Sequence, residues 1–149
     1  MNGKTIRFKV VANQVERFRI ESKAGKFTIV IDEPEEMGGS GAGPNPIEYL
    51  LASLAGCFII TTVYHAAERK VRIKSMQVEV TGKLDISGFT GAADVRPGLQ
   101  EVIVNATVVS DEPVERVTEL LKFAEEHCPV YDTLTKGTRI TSRVEVKRS

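Results

Sequence analysis

The 149-residue sequence predicts a single α+β domain, in the order three strands, one long apolar helix, two strands, an amphipathic helix and a last strand. Three observations predict it. An uncharged run from Tyr49 to Ala67 lies between Gly/Pro punctuation (GGSGAGPNP, Gly38 to Pro46) and the charged Glu68-Arg69-Lys70, the start and stop signals of one long helix. Short stretches on both sides alternate β-branched or aromatic residues with polar ones. Val114, Val117, Leu120, Leu121 and Ala124 recur at amphipathic helical spacing.

Taken in order, Ile6 to Val11, Val15 to Ile20 and Phe27 to Ile31 read as an antiparallel meander turning at Ala12-Asn13 and Lys23 to Lys26. In the second strand Phe18 and Ile20 fall on one face, with Arg17, Arg19 and Glu21 on the other. Glu33 to Pro46 reads as a flexible Gly-rich cover over a helix entrance; it lacks the Gly-Lys-Ser/Thr ending of a phosphate loop. Asn45 is the expected N-cap, with Pro46 at the first helical position. Within the helix Tyr49, Ser53, Cys57, Thr61 and His65 recur every four residues, one polar seam on an otherwise apolar rod. Gly56 costs about 1 kcal/mol against alanine in a helix interior, which points to tight packing beside Cys57. Ile73 to Ile86 and Leu99 to Val109 alternate as half-buried strands, joined by a long mobile connection, Ser87 to Gly98. Ser110 to Pro113 opens the amphipathic helix, which stops near His127 because Cys128 precedes Pro129. A turn from Tyr131 to Gly137 then leads to the last strand, Thr138 to Val146.

Composition narrows the function. Twenty Lys and Arg balance twenty Asp and Glu, so no net field draws the chain to nucleic acid or to an anionic membrane surface. The seam of Ser, Thr, Cys and His in the long helix favours a buried core helix over a membrane span. Its outer face is more than one chain's sheets can cover, which predicts an intertwined homodimer. MNGKTIRFKVV has no signal-peptide pattern, so a cytoplasmic, reducing setting is expected. Two cysteines, Cys57 and Cys128, are too few for a disulfide scaffold; they are either small buried hydrophobes or reactive thiols. With His65 and His127 they are the only Cys and His residues, without chelating spacing, so no metal is expected. Cys57 lies roughly 16 Å into its helix, too far for the helix N-terminus to hold a thiolate, and a cation from outside the helix would have to do so. Two such thiols suit a peroxidatic and a resolving cysteine; a Cys-His hydrolase lacks an orienting third group.

GPNPIEYLLASLAGCF (Gly43 to Phe58) together with HCPV (His127 to Val130) resembles the OsmC/Ohr family, the osmotically inducible and organic hydroperoxide resistance proteins, and the likeness in element order extends over nearly the whole chain. The resemblance implies a homodimer whose helical core is wrapped by two six-stranded sheets, with two active sites at the subunit interface. It implies thiol-dependent reduction of organic, and in some members hydrogen, peroxides in oxidative-stress defence: Cys57 attacks, Cys128 resolves to an intramolecular disulfide, and a dithiol or thiol protein returns the electrons without a bound cofactor. The family's hydroperoxide-reducing members usually carry a glutamate directly after Asn-Pro, paired to an arginine that holds the thiolate. Here that position is Ile47, followed by Glu48, and the arginine maps to Arg17, with Arg19 and Glu48 as supporting candidates. This pattern resembles the OsmC-like branch, and the alternative function is a non-catalytic or differently reacting protein of that branch binding an apolar ligand in the dimer groove.

Overall fold

The computed structural model describes residues 3–149, which divide into two compact units, the first ending at Leu50 and the second Leu51–Ser149. The first holds an antiparallel sheet of β1 (Val11–Glu16), β2 (Arg19–Ala24) and β3 (Phe27–Ile31), in that order. The β2–β3 hairpin pairs Ala24 with Phe27 across a two-residue turn, where Gly25 takes φ 59°. Strand boundaries differ from expectation. Ala12 and Asn13 sit inside the β1 ladder opposite Ser22 and Glu21, and the turn falls on Arg17 and Phe18. Arg17 adopts φ 43°, a left-handed conformation unusual for a side-chain-bearing residue, with its carbonyl held by Gln14 Nε2 at 2.8 Å. The alternation breaks at Ala12 to Gln14, where the sequence suggested a turn, whereas Arg17-Phe18 carries no Gly, Pro or Asn to mark the actual reversal. Residues 3–10, expected to begin the sheet, form no strand, and Phe8 is 91% exposed.

After β3 the chain is tied down rather than flexible. Asp32 is 1% exposed, and its carboxylate accepts hydrogen bonds from the Glu33 N–H (2.8 Å), the Ser40 N–H (3.1 Å) and hydroxyl (2.5 Å), and the Ala42 N–H (3.1 Å). A Cβ on Gly39 would lie 1.9 Å from the Glu33 carbonyl oxygen, and one on Gly43 2.4 Å from that of Val30, so both glycines let backbone pass against backbone. The Ser40 hydroxyl above all, with the three N–H groups, lowers the Asp32 pKa to about 2 against the opposing effect of burial. A depressed carboxylate stabilises the fold above its unfolded pKa, and that contribution is lost as pH falls through the folded value. The stability gap between wild type and Asp32→Asn, followed by thermal unfolding, is therefore expected to be constant near neutrality and to close between about pH 4 and pH 2. A gap that persists at pH 2 would show that the carboxylate charge is not what ties the loop.

Asn45 and Glu48 close a capping box: the Glu48 N–H donates to Asn45 Oδ1 (2.9 Å) and the Asn45 N–H to Glu48 Oε2 (2.8 Å). They start α1 (Pro46–Glu68), with Pro46 where its missing N–H costs nothing. In the second unit α1 buries Leu54, Phe58, Thr61, Thr62 and Ala66, and the Thr62 hydroxyl satisfies itself on the Phe58 carbonyl at 2.8 Å. Its far face is exposed: Ile60 is 70% exposed, with Val63 and Tyr64 also exposed, so among the described residues the expected buried helix is covered on one side only. The end of α1 is closed by Lys70 at φ 54° and by Arg116 Nη2, which donates to the Arg69 and Lys70 carbonyls at 3.2 and 3.3 Å.

β4 (Ser75–Lys83) and β5 (Glu101–Val109) pair antiparallel from Ser75↔Val109 to Lys83↔Glu101. Their connection is compact rather than mobile. It contains α2 (Ile86–Thr90), capped by Asp85, which accepts from the Ser87 N–H and hydroxyl, and a Cβ on Gly88 would meet the Arg96 carbonyl at 2.7 Å. α3 (Val114–His127) ends where expected, and its buried Leu120 packs with Ala66 and Val71. The expected turn after it is instead a second helix, α4 (Pro129–Lys136), favoured by Pro129 in its first turn and by the Asp132–Lys136 pair one turn apart. Residues 138–149 form no strand, and Ile140, Val144 and Val146 are exposed. Their alternation is strand-like, but a strand exists only against a ladder, and none of the described strands pairs with them.

Candidate active site

The break between α3 and α4 falls on one residue. Cys128 is both the last cap of α3 and the first of α4, with an extended backbone (φ −81°, ψ 114°) imposed by Pro129, and it is 0% exposed. It shares a core cluster with Phe58 and Ala124, against which Cys57, Met76, Val78, Val104, Leu121, Val130 and Tyr131 pack. Thus the middle of α1 and the α3–α4 junction bring together two cysteines 71 positions apart in the sequence (128 minus 57), both as free thiols.

The two sulfurs are not equivalent. Cys57 is partly exposed, whereas Cys128 is sealed. Burial pushes the Cys128 thiol above the ordinary range, and the neighbouring Cys57 thiol pushes it further; the Tyr131 and Val130 N–H groups oppose both. No strict capping hydrogen bond reaches Cys128 Sγ, so those N–H groups act as nearby dipoles at the start of α4. Cys128 therefore rests as a protonated thiol beside a more accessible one. A cavity of about 180 Å³ opens against this cluster, lined by Phe58, Val104, Ala106, Leu121, Glu125 and Tyr131, and apolar except for the carboxylate and the phenol.

The other candidates lie in the first unit. The Arg17 guanidinium is 5.2 Å from the Phe18 ring centroid, and its Nη2 lies where a Cβ on Gly38 would come within 3.0 Å. Arg19, at the start of β2, pairs with Glu21 (Nη2 to Oε1, 3.1 Å), and its buried Nε has no hydrogen-bond partner among the described residues. The Glu48 carboxylate is engaged in the capping box. Gly56, expected to be packed, faces open space: a Cβ there meets nothing within 4 Å.

Two features escaped sequence reading. Tyr131 Oη donates to Glu125 Oε1 at 2.9 Å, a contact six residues apart across a helix break, which matches no periodic spacing. His65 and His127, with ring centroids 5.8 Å apart, both rest against Phe123, whose ring also carries the Arg69 guanidinium at 3.8 Å.

Fold and site together define an α+β protein with, among the described residues, two small antiparallel sheets, four α-helices and an adjacent thiol pair on a core helix and a helix break. The sequence profile of the OsmC-like protein family matches residues 38–143, and the chain belongs to that family. Among its relatives a hydroperoxide reductase of Mycoplasma pneumoniae is 26% identical over 121 residues, 81% of this chain and 82% of that protein. The OsmC-like protein structure from Mycoplasma pneumoniae superposes with a TM-score of 0.75 at 24% identity, covering 90% of this chain and 89% of the other. An organic hydroperoxide resistance protein OsmC from Legionella pneumophila does so with a TM-score of 0.68 at 19% identity, over 91% and 93%.

Proposed function

We propose that this protein is a cytoplasmic, homodimeric thiol peroxidase for organic hydroperoxides. The carrying observation is the unequal thiol pair: an accessible Cys57 packed against the cluster of a sealed, protonated Cys128. A thiolate at Cys57 attacks the distal oxygen of ROOH; the O–O bond breaks, Cys57 becomes a sulfenic acid and RO⁻ leaves as the alcohol after taking a proton. Cys128 then attacks the Cys57 sulfur, the S–O bond breaks, and water departs as the disulfide forms. A dithiol or thiol protein returns two electrons and two protons by exchange. Arg17 is the cation assigned to hold the Cys57 thiolate, as its counterpart does in the family this chain resembles; Arg19 and Glu48, engaged with Glu21 and Asn45, are less free to help. No cofactor is required.

The apolar wall of the cavity that opens against the thiols' cluster, formed by Phe58, Val104, Ala106 and Leu121, supports an organic over an inorganic peroxide, because each methylene buried gains about 0.8 kcal/mol. The same wall supports a second reading, a binder of apolar ligands whose thiols do no chemistry. Thiol counting separates them. One equivalent of cumene hydroperoxide added to reduced protein is expected to remove two free thiols per chain and add one internal disulfide, read by alkylation and intact mass. Protein that keeps both thiols while the peroxide persists would leave the binder.

A further inference from the structure

We propose that Tyr131 and Glu125 are positioning residues for the second thiol: their hydrogen bond clamps the α3–α4 junction so that Cys128 stays directed at Cys57. The inference rests on the two-thiol reading above. Cys128 is a single non-helical residue between two helices, and the backbone ties across it are few: a long bond from its N–H to the Glu125 carbonyl (3.4 Å) and one from the Asp132 N–H to its own carbonyl (2.9 Å). Such a junction can pivot. The Tyr131 side chain reaches back from the first turn of α4 to the last turn of α3, and its hydroxyl donates to Glu125 Oε1 at 2.9 Å. Three parts of one residue thus meet the junction. The backbone N–H faces Cys128 Sγ, the ring packs on the cluster holding both thiols, and the phenol anchors to the preceding helix. Glu125 and burial raise the phenol's pKa, which keeps it a donor.

The clamp matters to one step. Disulfide closure demands Cβ atoms about 3.5–4.5 Å apart and a fixed dihedral, so a junction that swings leaves the sulfenic acid of Cys57 waiting. Attack on peroxide involves Cys57 but not Cys128 and makes no such demand. In Tyr131→Phe and Glu125→Ala, closure is expected to slow about tenfold relative to the first step, the order of one hydrogen bond to a charged acceptor. Glu125→Gln keeps an acceptor oxygen and is expected to stay within about twofold of wild type.

Single-turnover kinetics would read both steps, peroxide loss for the first and alkylation-quenched mass for the second, with dimedone trapping the sulfenic acid. Dimedone adduct should accumulate in Tyr131→Phe and Glu125→Ala and not in Glu125→Gln. Closure at the wild-type rate in Tyr131→Phe, equal slowing of both steps, or Glu125→Gln behaving like Glu125→Ala would overturn the clamp. Diamide provides the separate arm: one thiolate adds to its N=N bond and the second thiol displaces the hydrazine, closing the same disulfide without peroxide. Slow diamide closure in Tyr131→Phe, in a protein that consumes no peroxide, would sustain the clamp and remove the peroxidase. Peroxide consumption with normal closure in both assays would remove the clamp alone.

Discussion

Cys57→Ser is expected to abolish hydroperoxide consumption, while Cys128→Ser is expected to consume one equivalent per chain quickly and then turn over no further, save for slow over-oxidation under excess peroxide. Serine presents a hydroxyl that does not ionise in the pH range of the assay and has no activating base beside it, so the first step should fall by at least about 10³-fold. Cys128→Ser retains the attacking sulfur but has nothing to condense with it. The protein should gain one oxygen, trap with dimedone, and pass irreversibly to the sulfinic acid under excess peroxide. Burial gives this series its direction. Cys128 is sealed in the cluster with Phe58 and Ala124 and its ionisation is suppressed, so it cannot serve as first nucleophile; once Cys57 is oxidised, the neighbouring thiol that disfavours its ionisation is gone. The reversed result, Cys128→Ser silent and Cys57→Ser turning over once, would exchange the roles. Cumene hydroperoxide consumed by Cys57→Ser as fast as by wild type would remove the mechanism.

What was legible in the sequence follows from the range of the forces involved. α1 announced itself because its signals are local: Asn45, Pro46 and Glu48 build the start within four residues, and the uncharged run fixes its length. The end of α3 was legible for the same reason, since Pro129 constrains Cys128 directly. The meeting of Cys57 and Cys128 came from the family's paired motifs rather than from periodicity, because a contact between residues so far apart leaves no spacing to read. Illegible features depend on exact backbone paths. Nothing in the sequence sets Asp32 apart from Glu33, Glu35 and Glu36 beside it, and only the folded loop brings three N–H groups and a hydroxyl onto it. The turn at Arg17 went unread because arginine is a poor left-handed residue; the Gln14 side chain helps hold it there. The strand-like patterns at residues 6–10 and 138–146 are real in the sequence and form no ladder among the described residues, and the outer face of α1 is likewise exposed.

That exposed face carries the last prediction: Ile60→Glu is expected to convert the proposed dimer to monomer. Among the described residues Ile60, Val63 and Tyr64 form an exposed apolar patch on α1, and Gly56, one turn before Ile60, leaves room for another backbone to approach. Lipid is a poor occupant, because the same helix carries Ser53, Thr61 and His65 and ends in Glu68, Arg69 and Lys70. A second copy suits it, since a two-fold axis sets the same patch against itself. The symmetry also doubles the penalty. Each protomer forfeits about 1.5–3 kcal/mol of isoleucine burial, so a dimer loses about 3–6 kcal/mol before the cost of desolvating two carboxylates, a rise in dissociation constant of about 10²–10⁴-fold. Light scattering on a size-exclusion column at micromolar protein should show wild type at twice the chain mass and Ile60→Glu at one. A conservative Ile60→Val should remain dimeric, because it keeps the face apolar at the loss of one methylene. A monomeric wild type, or an Ile60→Glu protein that stays at twice the chain mass, would mean that this face serves some other contact.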